Sequence, residues 1–139
     1  MKENDRHFIS KNDIGYFSVG MGIYPRILFI VKGKDKKKTI QDNFADSNGG
    51  ELCFDDDTNM GGCVWNVIER GSNAHGFLVW ICDVFTTGDI AHESTHVAFE
   101  TFRDIGGIAD EDNQEPFAYL VGWVAKQIKG VLNYKITKK

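Results

Sequence analysis

The sequence predicts an α+β fold: a small, mostly antiparallel sheet packed on two helices. Apolar residues recur at a spacing of two up to Cys82 and at a spacing near 3.6 after it. The 139 residues, 42% apolar and 12% aromatic, supply one core rather than two, so 1–139 reads as a single domain.

Residues 1–13 form a polar N-terminal segment, and 14–85 read as mainly β. Phe17, Val19, Met21, Ile23, Ile27, Phe29 and Val31 alternate, with a break at Tyr24-Pro25 where proline cannot donate to a ladder. Lys32 to Lys38 holds five lysines in seven residues and reads as a solvated hairpin tip, or as a surface for an anionic partner. Asp42 to Gly50 reads as a loop, as does the acidic run Asp55-Asp56-Asp57, which lacks the alternating ligands of a calcium loop. Glu51 to Phe54, Cys63 to Ile68 and Gly76 to Cys82 read as short strands. In the last of these, the unbroken apolar run Phe77 to Ile81 implies burial on both faces.

Residues 86–131 carry two helices. The first spans about Thr87 to Asp104, with Thr87 or Asp89 as cap and Gly106-Gly107 as stop. The second spans about Gln114 to Gly130, with Asn113 as cap and Pro116 in its first turn. Asn133 to Lys139 forms a last short strand or frays.

Composition narrows the function classes. The net charge of −4 does not favour nucleic acid, and no apolar run approaches the roughly 20 residues of a membrane span. The polar N-terminus lacks a secretory signal, so a cytoplasmic location is expected. Cys53, Cys63 and Cys82 form no C-x-x-C pair and read as reduced packing residues.

The chemistry sits in His92-Glu93-Ser94-Thr95-His96, an H-E-x-x-H motif on the first helix. Histidines at i and i+4 lie about 40° apart around a helix, so both imidazoles can reach one metal ion. Glu93, offset by about 100°, can meet a water on that ion, where a general base is needed. The apolar residues around the pair, among them Ile90, Val97 and Phe102, predict that this segment is largely buried. Glu115 follows His96 after 18 residues and is a candidate third ligand. It also suits an ordinary first-turn acid, opposite the stripe Phe117, Leu120, Val121, Val124 and Ile128. Glu111 and Asp112 are its rivals in the preceding loop.

H-E-x-x-H, 18 residues, then Glu is similar to the gluzincin metallopeptidases. The resemblance covers about residues 75–125 and implies a zincin-like fold, with His92, His96 and Glu115 on zinc and Glu93 polarising the water. It further implies that the strand before the motif, Phe77 to Ile81, borders the substrate cleft. The family draws its oxyanion donor from a later subdomain. Only 24 residues follow Glu115 here, which leaves His75, Tyr119 and Tyr134 as candidates. The family's acid four residues after the ligand Glu is Tyr119 here, so Asp89, Glu100 or Asp104 would have to orient a histidine. The expected function is zinc-dependent hydrolysis of a peptide or protein substrate, without nucleic acid or membrane. The alternative is a non-catalytic zinc-binding domain acting through protein–protein interaction.

Overall fold

The alternating apolar positions of the first half form a six-stranded sheet in the computed structural model, which describes residues 7–11, 14–32, 36–52, 63–82 and 84–134. The strands are β1 (His7–Lys11), β2 (Ile14–Gly20), β3 (Ile27–Lys32), β4 (Phe44–Asp46), β5 (Cys63–Glu69) and β6 (His75–Trp80). Their spatial order is β1-β2-β3-β6-β5-β4. Every neighbouring pair is antiparallel except β3 with β6, so the expected mostly antiparallel sheet carries one parallel seam at its centre. Three helices complete the described residues: α1 (Lys36–Asn43), α2 (Thr87–Ile105) and α3 (Gln114–Asn133).

Alternation divides the central strands between two cores. Leu28, Ile30, Phe77 and Val79 pack with Val97 and Phe102 of α2 and with Leu120, Val124 and Ile128 of α3. Phe29, Val31, Leu78 and Trp80 face the other way, against Ile40 of α1 and Phe44 of β4. The sheet is therefore sandwiched between the α2–α3 pair and α1, and the run 77–81 is buried on both faces as expected. That burial corrects one implication of the resemblance. β6 is hydrogen-bonded to β3 on one side and β5 on the other, so it has no free edge with which to border a cleft.

Backbones approach closely at the parallel seam. A Cβ added at Gly76 would stand 2.0 Å from the Ile27 carbonyl oxygen and 2.8 Å from the Phe29 ring. Only glycine satisfies that position.

The cap of α2 is Thr86, one residue before Thr87 and three before Asp89, the two positions expected from sequence. Its hydroxyl accepts from the Asp89 backbone N–H at 3.1 Å, and the Asp89 carboxylate accepts from the Thr86 N–H at 2.9 Å, a reciprocal capping box. Those bonds hold the Asp89 carboxyl below its ordinary range. Thr86→Ala removes one half of the box and is expected to cost about 1 kcal/mol, read as a lower urea midpoint at unchanged slope. Gly106 ends the helix in the left-handed conformation, φ 74°, as the Gly-Gly stop predicts.

α2 and α3 run antiparallel, and β3 reports the direction of each. At its start, Arg26 Nε donates to Asp104 Oδ2 near the end of α2, at 3.2 Å. At its end, Lys32 Nζ donates to the Val131 carbonyl in the last turn of α3, at 2.7 Å. Phe117 packs its ring on Phe99 and Phe102, with centroids 4.6 and 5.5 Å away.

Several expectations are corrected. The polar N-terminal segment contains β1, whose pairing rests on backbone hydrogen bonds to β2 rather than on composition. The lysine-rich stretch is not a hairpin tip in its described part: α1 begins at Lys36 and buries Ile40 completely. The loop expected over 42–50 holds the end of α1 and β4. Glu51 and Leu52 are not in a strand, and the acidic run 55–57 lies outside the described residues. α3 continues to Asn133, where a last strand was one expectation, and 135–139 lie outside the described residues. Asn113 precedes α3 without a side-chain cap bond; its amide donates instead to the Ile108 carbonyl at 2.7 Å. Cys82 is free, its thiol donating to the Val84 carbonyl at 2.9 Å.

Candidate metal centre

α2 carries His92 and His96 on its exposed side and Glu93 on its buried side. The 100° step between adjacent helix residues makes that division: with Val97, Ala98 and Phe102 facing the sheet, Glu93 turns inward and the histidines turn outward. The expectation of a largely buried segment thus holds for Glu93, which is 3% exposed, and not for His92, whose side chain is 68% exposed.

The two imidazoles converge. Their Nε2 atoms lie 3.1 Å apart, with the rings edge to face at a centroid distance of 4.7 Å. Two nitrogens of a tetrahedral zinc site, each about 2.0–2.1 Å from the ion, stand roughly 3.3 Å apart, so the pair is already spaced for one metal. Glu93 Oε1 lies 3.6 Å from His92 Nε2. One ligand atom from each of His92, Glu93 and His96 falls within 4.8 Å of the others, a group that could hold a metal ion.

Glu93 has the environment of a proton carrier. Its Oε2 is buried without a hydrogen-bond partner. Burial pushes the carboxyl up to about 7; His92 opposes this and Asp89 adds to it. A carboxyl balanced near neutrality can both accept and return a proton.

The other candidates lie elsewhere. Glu115 is exposed on the first turn of α3, outside the group formed by His92, Glu93 and His96. Counting from the Phe99–Phe117 contact at about 1.5 Å per residue, it stands about 7 Å beyond His96 along the helix pair, and farther from His92. Side chains lean toward their own helix N-terminus, so in an antiparallel pair the histidines and Glu115 lean apart. Glu115 also projects opposite the buried stripe Leu120, Val124 and Ile128, as the ordinary first-turn reading requires. Glu111 and Asp112 are exposed in the turn before α3 and outside the group.

The oxyanion candidates do not gather at the histidines by any described contact. His75 is exposed at the first residue of β6, Tyr119 is 75% exposed on α3, and Tyr134 packs edge-on against Phe17. The acids considered for orienting a histidine are engaged: Asp89 in the cap, Glu100 with Arg103, and Asp104 with Arg26 and Asn66.

Sequence reasoning passed over several buried polar groups on these helices. Ser94 Oγ, both amide atoms of Gln127 and the Trp123 indole nitrogen are buried without hydrogen-bond partners. Gln127 could have been found, because it interrupts the apolar stripe of α3 and is only 1% exposed.

Comparison of the chain with protein-family models, curated proteins and solved structures finds no match.

Proposed function

We propose that the chain binds zinc through His92 and His96 and hydrolyses peptide bonds, with Glu93 as general base. The observation that carries this reading is the convergence of two imidazole nitrogens, 3.1 Å apart, beside a buried carboxyl. Bound zinc would supply a polarised carbonyl and a water of lowered pKa. The protein's own contribution is at Glu93, where Oε1 faces the histidines and takes a proton from water. Burial leaves that proton available for the departing amine. The third ligand implied by the gluzincin resemblance, Glu115, would have to turn from the outer side of α3 to serve.

Metal titration of purified protein tests the reading. His92→Ala and His96→Ala are each expected to weaken zinc binding by about 100-fold or more. Glu93→Gln keeps the metal and loses peptide cleavage. Glu115→Gln leaves zinc affinity within about threefold if two histidines carry the site, and lowers it as a histidine variant does if Glu115 is a ligand. Wild type that binds no zinc overturns the proposal.

A second reading is a non-catalytic zinc domain acting through protein contacts, favoured by the absence of a free edge on β6 and by the exposed aromatic side of α3. Zinc-loaded wild type that cleaves nothing in a broad peptide library decides for it.

A further inference from the structure

Residues 116–125 contain no charged side chain. A helix segment uncharged on every side is ordinarily buried on every side. Here only half of it is: Leu120 and Val124 are at most 4% exposed, while Ala118, Tyr119 and Gly122 face solvent. These outward residues, with Trp123, line a hollow of about 500 Å³ that has Glu115 at one end and Lys126 at the other.

We infer that this face of α3 is the contact surface of a two-fold homodimer in which two copies of α3 cross antiparallel. Charge placement selects a second copy as the occupant. Gly122 and Lys126 lie within about 20° of Glu115 around the helix, and the acid and base stand roughly 16 Å apart along it. A line that carries an acid at one end and a base at the other complements itself only when reversed, as an isologous contact requires. In that register Glu115 meets the partner's Lys126, and Lys126 meets the partner's Glu115. The same register sets Tyr119 beside the partner's Gly122, a large side chain against a small one. Space for the large partner exists, since a Cβ at Gly122 would have nothing within 4 Å.

This inference does not rest on the zinc reading, and its test is run with a chelator present so that no metal can bridge two chains. Sedimentation velocity of the full chain, up to about 200 μM, is expected to show a reversible dimer. Glu115→Lys and Lys126→Glu each oppose like charges at both ends of the crossing and should weaken the dimer by about tenfold or more. Combining the two exchanges restores opposite pairs and should return affinity to within about threefold of wild type. Gly122→Leu fills the gap that receives the partner's Tyr119 and should give a monomer. Its far-ultraviolet circular dichroism and melting should stay native, because the added side chain meets open space within its own chain. A monomeric wild type, a dimer indifferent to Gly122→Leu, or a double exchange that fails to restore association overturns the inference. So does association only with an unlike protein through this face.

Discussion

Glu93→Gln is expected to become more stable than wild type at pH 8. The folded carboxyl titrates near 7, against an ordinary value of 4.5 for the unfolded chain. Between those values the folded state holds a proton that the unfolded state releases, so stability falls as pH rises through the window and is lowest above 7. At about 1.4 kcal/mol per pH unit, the penalty approaches about 3 kcal/mol at its full extent. Glutamine keeps the volume without the charge. In metal-free protein, the variant's denaturation midpoint should therefore change little between pH 5 and 8, where the wild-type midpoint declines. At pH 8 its melting temperature should exceed that of wild type by about 5–10 °C. Parallel pH profiles for the two proteins would show that Glu93 is not the buried acid. If the hydrolase reading holds, the same variant retains zinc and loses about 10²–10⁴-fold in rate, the usual worth of a general base.

Gly76→Ala is expected to cost more than any other single methyl group added to this sheet. The new Cβ would meet the Ile27 carbonyl at 2.0 Å, and a backbone atom cannot swing aside as a side-chain tip can. Relief requires β3 and β6 to part where the two cores meet. A loss of about 3–5 kcal/mol should follow, seen as a melting temperature lower by about 10 °C or more, or as insoluble protein. Gly20→Ala is the control, because a Cβ there has nothing within 4 Å. If both variants melt within about 2 °C of wild type, the close approach at the seam is wrong.

What could be read from sequence followed from how strongly each residue's surroundings depend on its immediate neighbours. The run 77–81, the change of periodicity after Cys82 and the Gly106 stop are local signals, and the central strand and α2 emerged close to their expected bounds. α1 was invisible because Ile40 is the lone apolar residue in Lys36–Asn43 and one residue makes no period. β1 was invisible because its partner strand, not its composition, defines it. At the candidate metal centre, helix geometry alone places the two histidines together on the exposed side and sets Glu93 beside them on the buried side. Whether Glu115 joins them depends on the axial register of two helices and on which side of α3 meets α2, and neither is written in residue spacing. The stripe opposite Glu115 was the one sequence signal that pointed outward, and the structure follows it.

β3 is tied to α2 by Arg26 at one end and to α3 by Lys32 at the other, contacts that span 78 and 99 residues of chain. Each helix is held beside the same strand, at opposite ends, and the two pack on each other through Phe117 against Phe99 and Phe102. The helical hairpin and the sheet centre should therefore open as one cooperative unit, with slow-exchanging amides in α2, α3 and β3 sharing a common opening free energy. The two histidines would then ride on the most persistent part of the molecule, and their spacing would survive fluctuations that loosen its edges.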